Sequence, residues 1–351
     1  MKQTDSKIYI AGHRGMVGSA IVRRLEANGY KNLLYRSHAQ LDLTRQEEVE
    51  DFFERERPDH VFLCAAKVGG ILANSTYKAQ FIYENVMIAA NVIHASYTHG
   101  VKKLMNLGSS CIYPRKAPQP LKEEYLLTSE LEPTNEPYAI AKIAAIKLCR
   151  YYNEQYGTNF MSVMPSNLYG LDDNFNLETS HVLPALIRKL HLAKLLSQKD
   201  YASIVRDLER FGNNLPTGSS DDPDLLAKHL SRFGIHPDRI TLWGTGAPKR
   251  EFLYAGDLSA AVVFLMERYN AGDIGEFINI GVGKDITIQE TAALISRILG
   301  YTGRIEWDGT TPDGTPQKLL DISRVQGKGW RAETPLEQGI RKTYTWYLDN
   351  F

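Results

Sequence analysis

Short apolar runs alternate with amphipathic segments along the first half of the chain. Residues 7–11 form an apolar run that predicts a buried strand, and the spacing of apolar positions over 17–25 predicts a helix. The alternation continues with predicted strands at 32–35, 60–65, 103–108 and 160–164 and predicted helices at 45–55, 77–97 and 137–156. Strands that alternate with helices are typical of an α/β fold with a doubly wound, mainly parallel sheet and right-handed crossovers.

The regular alternation ends near Gly170. We therefore predict a first domain over 1–170 and a smaller C-terminal α/β lobe over 171–351. Because 276–280 has the pattern of another strand, a segment near 250–285 is expected to complete the sheet of the first domain.

Two further helical regions are predicted in the second lobe. Residues 288–299 form an amphipathic pattern that should stop at Gly300. Residues 196–236 predict an inserted pair of helices joined by a turn-rich stretch, which either caps a cleft or forms a surface appendage.

Composition excludes several classes of protein. Lys plus Arg and Asp plus Glu number 41 each, so no net charge would gather nucleic acid or an anionic membrane surface. No apolar run approaches the roughly 18 residues of a membrane span, and the first residues contain no signal-peptide core. The 3 cysteines are too few and too scattered for a disulfide framework or a zinc site. We expect a cytoplasmic protein with no metal, no nucleic-acid partner and no membrane association.

A glycine-rich turn separates the first predicted strand from the first predicted helix. Its sequence is Gly12-His13-Arg14-Gly15-Met16-Val17-Gly18. Gly12 would permit the tight turn, Gly15 the close approach of a pyrophosphate, and Gly18 the packing of helix on strand. Since a helix N-terminus also attracts phosphate, the whole turn is predicted to bind a dinucleotide.

The residues at the end of the second predicted strand indicate whether the dinucleotide is NAD or NADP. NAD-binding chains usually carry an acid about 20 residues after the glycines, which holds the ribose 2'-hydroxyl. Here 29–41 contains no carboxylate, Arg36 stands in the place of the acid, and Arg14 lies in the turn. Two guanidinium groups would attract a 2'-phosphate, so we predict NADP(H), with a solvated surface role as the alternative for Arg36. Asp42 either contacts the adenine or is a turn residue ahead of a helix cap at Thr44.

Tyr138 and Lys142 stand at the start of a long predicted helix, just after Pro137. Their spacing of four places the phenol and the ammonium on one face. A cation there is expected to lower the pKa of Tyr138, so that its hydroxyl exchanges a proton with a substrate oxygen, while Lys142 could also hold the nicotinamide ribose. Ser109 follows the preceding strand, at the sheet edge where ligands bind, and could hydrogen-bond the same oxygen.

Taken together, these motifs resemble the extended short-chain dehydrogenase/reductase family, which has a Rossmann domain. The glycine turn, the serine after the strand and Tyr138-x-x-x-Lys142 carry this resemblance. Five sequence segments narrow the resemblance to family members that modify GDP-linked sugars. These segments are 12–18, 65–71, 107–114, 165–170 and 312–316. The run Ser-Ser-Cys-Ile-Tyr-Pro at 109–114 is the most specific, and the resemblance covers almost the whole chain except the insert.

The resemblance implies an NADPH-dependent enzyme that converts GDP-4-keto-6-deoxy-D-mannose to GDP-L-fucose. It implies epimerisation at C3 and C5 and reduction of the C4 ketone. Ser109, Tyr138 and Lys142 are the implied reductive triad, and Cys111 with His181 is the implied acid/base pair for epimerisation. A thiol and an imidazole titrate close enough to neutrality to exchange protons with carbon. A homodimer is implied at the level of the family.

Ligand contacts are also implied by the resemblance. Further cofactor contacts are implied for Leu107, Gly108, Lys142, Pro165, Ser166, Asn167, Leu168 and His181. Substrate contacts are implied for Lys189, Trp243, Arg250 and Asp313. A turn rich in glycine and proline beside Trp243 and a basic pair could stack a guanine and hold a diphosphate.

Other interpretations stay open from the residues themselves. Without the family pattern, Cys111 would be a buried small hydrophobe and His181 a helix-capping residue. A nucleotide-sugar 4-epimerase or 4,6-dehydratase would share Tyr138 and Lys142, but a dehydratase carries an Asp-Glu pair where this chain has Cys111 and Ile112. A non-catalytic NADP-binding protein would bind NADPH without turning over a GDP-sugar ketone.

Overall fold

The computed structural model describes residues 4–213, 222–311 and 313–350, without the side chains of Ile71 and Leu72. Most of the turn-rich stretch predicted inside 196–236 lies outside the described residues, as does Pro312 of the last motif. The chain forms two compact units. Unit 1 comprises Met1–Leu168, Glu251–Gly283 and Leu319–Thr334, and unit 2 comprises Tyr169–Arg250, Lys284–Lys318 and Pro335–Phe351.

The elements follow the predicted alternation over the first half of the chain. The strands are β1 Ile8–Ala11, β2 Leu33–Leu34, β3 His60–Leu63, β4 Lys103–Leu107, β5 Phe160–Pro165, β6 Asn167–Tyr169, β7 Arg239–Trp243, β8 Lys249–Arg250, β9 Phe252–Tyr254, β10 Ile278–Ile280, β11 Ile286–Thr287, β12 Arg304–Asp308 and β13 Gln317–Lys318. The helices are α1 Met16–Ala27, α2 Gln46–Glu56, α3 Ile71–Thr76, α4 Lys78–Thr98, α5 Glu136–Tyr156, α6 Val182–Ser197, α7 Tyr201–Phe211, α8 Pro223–Ser231, α9 Ala255–Arg268, α10 Ala271–Ile274, α11 Ile288–Leu299, α12 Ser323–Gly327 and α13 Leu336–Asp349. Among the described strands and α-helices before β6, only the short helix α3 was not predicted.

Unit 1 is built on a six-stranded sheet with the order β10-β5-β4-β3-β1-β2. Every neighbouring pair in it is parallel, so the predicted fold class is confirmed. The chain order reverses between β1 and β3, and ligands of open α/β sheets bind at such a switch point, beyond the carboxyl ends of the strands. The glycine turn after β1 and Ser109 after β4 both lie at that edge.

Both faces of the sheet are covered by helices. On β1, Ile8 and Ile10 point to a core shared with α1 and α9, whereas Tyr9 and Ala11 point to a core shared with α2, α4 and α5. Alternate residues of a strand face opposite sides, and burial on both sides explains why the strands are continuous apolar runs.

Unit 2 contains two smaller sheets and the remaining long helices. Strand β7 pairs in parallel with β12, and β8 lies between β11 and β13. The predicted helix over 288–299 coincides with α11, because a capping box formed by Thr287 and Glu290 starts it and Gly300, at φ 68°, ends it. Helix α6 packs against both α7 and α11.

No helix within the described ranges combines the length and the apolar character that a bilayer crossing requires.

Candidate active site

Ser109, Tyr138 and Lys142 form one side-chain cluster at the carboxyl edge of the unit 1 sheet. The Ser109 and Tyr138 side chains are hydrogen-bonded to each other. The Lys142 ammonium donates to the Leu107 carbonyl oxygen over 2.8 Å and lies 5.7 Å from the centre of the Tyr138 ring. Pro137 occupies the first turn of α5, so one helical turn later Lys142 points to the same side as Tyr138.

The pKa of Tyr138 differs from the one expected from its spacing to Lys142. Burial raises the pKa of Tyr138 above its ordinary value, a negative charge on Cys111 raises it further, and the hydrogen bond to Ser109 opposes the shift. Burial also lowers the pKa of Lys142 to about 8, against the opposing influence of Cys111 and Cys64. Contrary to the expectation from the spacing, the pKa of Tyr138 is raised, because desolvation of the buried phenolate is the largest influence on it.

Cys111 lies in a 3-10 turn, Ser110–Ile112, that begins at Ser109. Its backbone N–H donates to the Ser109 hydroxyl oxygen over 3.4 Å, and 7% of the residue is exposed. A charge on its sulfur affects the pKa of both Tyr138 and Lys142, so the thiol lies beside the triad. The structure therefore brings Ser109, Cys111, Tyr138 and Lys142 into one cluster within unit 1.

A buried hydrogen bond that the sequence did not predict anchors this turn. The Tyr113 hydroxyl donates to the side-chain oxygen of Asn279 over 2.5 Å. Asn279 is fully buried on β10, where its side-chain nitrogen donates to the carbonyl oxygens of Leu121 and Asp321. A polar residue inside a predicted apolar strand was the available signal, since buried amides need partners.

The glycine turn packs closely at Gly12 and Gly18 and leaves open space at Gly15. Gly12 has φ 84°, and a Cβ there would lie 2.8 Å from the Ala65 nitrogen. A Cβ on Gly18 would overlap the Gly12 carbonyl oxygen, whereas a Cβ on Gly15 would meet no atom closer than 3.6 Å. No side chain caps α1, whose first residues are Met16 and Val17. The backbone amides at this helix N-terminus are thus available to a phosphate.

Arg36 is held in place by partners on α2. Its guanidinium is 2.5 Å from a carboxylate oxygen of Glu56 and 5.3 Å from the centre of the Phe52 ring. These residues, together with Arg55 and Leu41, line a cavity of about 410 Å³. Glu56 was missed because it is remote in sequence from the strand that carries Arg36, and no local pattern links the two.

Apart from His181, the other predicted cofactor residues lie in unit 1, with different local roles. The Asp42 carboxylate accepts hydrogen bonds from the backbone and the hydroxyl of Thr44, over 2.9 and 2.7 Å. These contacts fit the second of its two predicted roles, that of a turn residue. Arg14 is exposed and the His13 ring stacks on Tyr35 at 5.0 Å. At the carboxyl ends of β4 and β5 lie Leu107, Gly108, Pro165, Ser166, Asn167 and Leu168. The Ser166 hydroxyl is buried and has no hydrogen-bond partner among the described residues.

His181 belongs to unit 2 and is the N-cap residue of α6. The residue keeps an exposed surface, yet the protein around its ring lowers its pKa through desolvation, and the charge of Lys318 lowers it further. The imidazole is therefore neutral near pH 7 and able to accept a proton.

Lys189 lies two helical turns after His181 on α6. Its ammonium is 5.8 Å from the centre of the Trp243 ring, and burial lowers its pKa to about 8. Trp243 is 69% exposed, which is unusual for so large an apolar side chain. An exposed indole beside an ammonium is suited to a flat, anionic ligand such as a nucleotide.

Arg250 and Asp313 hold the backbone around the turn that follows Trp243. The Asp313 carboxylate accepts from the backbone and the hydroxyl of Thr245, over 2.9 and 2.6 Å. A guanidinium nitrogen of Arg250 donates to the Thr315 carbonyl oxygen over 2.6 Å, and burial lowers the pKa of this arginine. Both predicted substrate residues thus have structural partners within unit 2.

The sequence is similar to known proteins over nearly its whole length. Residues 8–281 match the model of the NAD dependent epimerase/dehydratase family. The chain is 49% identical to GDP-L-fucose synthase 1 of Arabidopsis thaliana over 350 residues, which is 100% of this chain and 95% of that protein. It is 47% identical to GDP-L-fucose synthase of Escherichia coli over 353 residues, 99% of this chain and 98% of that protein.

A solved structure extends the comparison to three dimensions. A GDP-mannoheptose C4 reductase from Campylobacter jejuni with NADP bound superimposes with a TM-score of 0.86 at 41% identity. The match covers 99% of this chain and 100% of the reductase. The chain therefore belongs to the NAD dependent epimerase/dehydratase family, and within it to the group of the GDP-L-fucose synthases.

Proposed function

We propose that this chain converts GDP-4-keto-6-deoxy-D-mannose to GDP-L-fucose, by epimerising C3 and C5 of the sugar and reducing its C4 ketone with NADPH. The observation that carries the proposal is the cluster of Ser109, Tyr138 and Lys142 with the Cys111 thiol beside it. A plain ketone reductase needs a proton donor at the ketone, but has no use for a thiol there. The names of the two relatives agree with this activity.

The residues of unit 1 fit NADPH. The open space at Gly15 and the uncapped start of α1 suit its pyrophosphate. Arg36, which pairs with Glu56 in this structure, would exchange that partner for the 2'-phosphate, and the exposed Arg14 would add a second guanidinium. Lys142 would hold the nicotinamide ribose, and the unpartnered Ser166 hydroxyl is available as a further hydrogen-bonding group. When bound, NADPH supplies the two electrons and the hydrogen that convert the C4 ketone to an alcohol.

Epimerisation requires protons to leave and return at carbon. The C3 and C5 hydrogens are acidified because both carbons lie next to the C4 ketone, and loss of either proton gives an enolate. The hydroxyl groups of Ser109 and Tyr138 would donate hydrogen bonds to the enolate oxygen. Cys111 and His181 would exchange the protons, one as base and the other as acid, since removal and return must occur on opposite faces of the carbon.

Reduction uses the same hydroxyl pair in a different way. Tyr138 would give its proton to the C4 oxygen as the alcohol forms. Its raised pKa keeps the phenol protonated until that step. The Lys142 ammonium, 5.7 Å from the centre of the ring, would stabilise the tyrosinate that results. Ser109, already hydrogen-bonded to Tyr138, would hold the C4 oxygen of the sugar beside the phenol by a hydrogen bond.

The direct test mixes the purified protein with GDP-4-keto-6-deoxy-D-mannose and NADPH and follows the absorbance of NADPH. The proposal expects oxidation of NADPH that depends on the sugar, and GDP-L-fucose as the product. Tight NADPH binding with no turnover would contradict it and support a non-catalytic role.

A second candidate is a C4 reductase that does not epimerise. It is favoured by the 41% identity to the GDP-mannoheptose C4 reductase. The two functions differ in deuterium uptake: in heavy water an epimerase incorporates deuterium at C3 and C5, whereas a simple reductase does not. Reduction without such incorporation would favour this second function.

Replacing Cys111 with Ser should separate the two activities. We expect deuterium incorporation at C3 and C5 to fall about 10²–10⁴-fold, because a serine hydroxyl is far less acidic than a thiol and transfers protons poorly. NADPH affinity should stay within about twofold, since Cys111 is not among the cofactor residues. Cys149→Ser is the matched control, a buried thiol on α5 outside the cluster. Unchanged incorporation in Cys111→Ser would refute its role in proton transfer.

Replacing Arg36 with Ala should weaken NADPH binding selectively. Charge-assisted hydrogen bonds contribute about 1.5–3 kcal/mol, so the Kd for NADPH should rise about 10- to 150-fold, while the Kd for NADH should change little. Fluorescence titration of both cofactors measures this, with the exposed Lys31→Ala as control. Equal weakening of both cofactors would mean that Arg36 only supports the local structure.

We also propose that Lys189, Trp243, Arg250 and Asp313 bind the GDP moiety. The exposed Trp243 ring offers a stacking surface for guanine, and Lys189 beside it carries the charge that a diphosphate needs. Arg250 would add a second cation. The Asp313 carboxylate supports this site by holding the Thr245 turn.

We propose a cytoplasmic homodimer as the working form. Large exposed side chains on two helices that pack together, Tyr83 on α4 and Tyr151 on α5, support self-association. The three cysteines form no disulfide with one another, which suits a reducing compartment. Light scattering should give twice the 39.6 kDa of one chain. A single-chain mass at micromolar concentration would exclude the dimer.

A further inference from the structure

Helix α7, from the first part of the predicted insert, is attached to α6 through an ion pair that is completely shielded from solvent. Arg188 on α6 and Asp207 on α7 are both 0% exposed, and the guanidinium is 2.8 Å from the carboxylate oxygen. The Tyr347 hydroxyl, from α13, donates to the other carboxylate oxygen of Asp207. A buried, paired charge fixes geometry because its partners cannot be exchanged for water. Helix α7 is therefore an anchored element of unit 2.

The same arginine connects α7 to the loop that leads to His181. Its terminal nitrogens donate to the carbonyl oxygen of Phe175 over 3.0 Å and to that of Gly212 over 3.0 Å. Phe175 lies in the loop before α6, whereas Gly212 ends α7. One guanidinium thus ties the end of α7 to the start of the His181 loop.

Asn213 makes the second connection between the same two segments. Its side-chain oxygen accepts from Arg188 over 2.7 Å and from the backbone N–H of Leu177 over 3.2 Å. Asn213 has φ 87°, a conformation that asparagine tolerates better than most residues. Its side-chain nitrogen is buried and has no hydrogen-bond partner within the described ranges, so the oxygen is the atom that makes these contacts.

From Leu177, a short run of local hydrogen bonds reaches His181. The Asn176 side chain accepts from the backbone N–H groups of Glu178 and Thr179, and its carbonyl oxygen accepts from that of Ser180. The His181 carbonyl oxygen then accepts the first backbone hydrogen bond of α6, from Ala185 over 3.0 Å. Displacement of the loop near Leu177 would therefore be passed on to the histidine.

Aromatic packing reinforces this arrangement. The Phe211 ring stacks on Tyr347 at 4.8 Å and packs against Phe175 at 5.5 Å, and Arg188 lies 5.6 Å from its centre. The end of α7, the loop before α6 and the helix α13 thus share one buried cluster.

We propose that α7 and the two residues that follow it, Gly212 and Asn213, position His181 for epimerisation, through the contacts of Asn213 and Asp207 with Arg188 and the 175–177 loop. Asn213 is a positioning residue in this scheme, acting on the sugar only through His181. The inference rests on the proposed function, in which His181 exchanges protons with C3 or C5. It gives a role to a segment whose sequence contains no recognised chemistry.

The experiment compares Asn213→Gly with Asn213→Asp. Glycine removes the side-chain oxygen and accepts the positive φ without strain, whereas aspartate keeps an acceptor oxygen for both Leu177 and Arg188. Deuterium incorporation at C3 and C5 is measured over pH, together with the Kd for NADPH. We expect Asn213→Gly to slow incorporation about 10- to 100-fold, since small misplacements of a reacting group have effects of that size.

The pH dependence of deuterium incorporation distinguishes a positioning role from a general loss of stability, which would not shift it. Desolvation and Lys318 hold the pKa of His181 below its ordinary value, so a loosened loop should hydrate the ring and shift its titration to higher pH. We expect this shift in Asn213→Gly, a return to wild-type behaviour in Asn213→Asp, and an unchanged Kd for NADPH in both. Wild-type incorporation and pH profile in Asn213→Gly, or equal defects in both variants, would overturn the inference.

A parallel His181→Gln variant distinguishes failure of the positioning role from failure of the proposed function. If wild type incorporates no deuterium, or His181→Gln incorporates it as fast as wild type, the proposed function is wrong and this inference falls with it. If His181→Gln is inactive in exchange while Asn213→Gly behaves as wild type, only the positioning role is overturned.

Discussion

Tyr138→Phe is expected to lower the rate of sugar-dependent NADPH oxidation about 10²–10⁴-fold, the usual contribution of a positioned general acid. In the proposed mechanism the phenol gives its proton to the C4 oxygen, and its hydrogen-bond partner Ser109 would remain without this donor beside it. The ring itself is retained, so its contact with Phe81 at 6.4 Å should survive. Stopped-flow absorbance with saturating NADPH measures the effect on the chemical step.

Tyr156→Phe provides a matched control on the same helix. Tyr156 is 45% exposed and lies outside the cluster, so removal of its hydroxyl should leave the rate within about twofold. Exchange at C3 and C5 should persist in Tyr138→Phe at a reduced rate, because Ser109 can still hydrogen-bond an enolate oxygen. A Tyr138→Phe rate within tenfold of wild type would show that another group protonates the C4 oxygen.

Asp207→Ala is expected to lower the free energy of unfolding by about 3–5 kcal/mol, as is typical when one partner of a buried ion pair is removed. The substitution leaves the Arg188 guanidinium buried with an uncompensated charge, at a site with 0% exposure for both residues. It also removes the acceptor of the Tyr347 hydroxyl. Urea denaturation followed by circular dichroism measures the change.

The surface ion pair of Glu337 and Arg341 gives the comparison for that experiment. These residues are one turn apart on α13, with side chains 44% and 55% exposed. Glu337→Ala should therefore cost no more than about 1 kcal/mol. If Asp207→Ala cost as little as Glu337→Ala, α7 could not be described as anchored through its carboxylate.

The sequence by itself determined the fold class and the chemistry at the sheet edge. Buried parallel strands must be apolar and amphipathic helices must repeat every 3.6 residues, so β1, β5 and α11 could be predicted from neighbouring positions alone. The glycine turn and the pair Tyr138 and Lys142 were predictable for the same reason, since each functional spacing lies within one turn or one helix.

Tertiary structure decided what depends on residues that are distant in sequence. The pairing of Arg36 with Glu56 joins a strand end to the end of a helix, and the pairing of Arg188 with Asp207 joins two helices. Neither leaves a periodic signal in the sequence. The pKa of Tyr138 belongs to the same class, because spacing identified the nearby cation whereas the folded surroundings determined the cost of desolvating the phenolate. Local patterns thus predict which side chains are neighbours along one helix, strand or turn. Only the folded chain determines how deeply they are buried and which distant residue pairs with them.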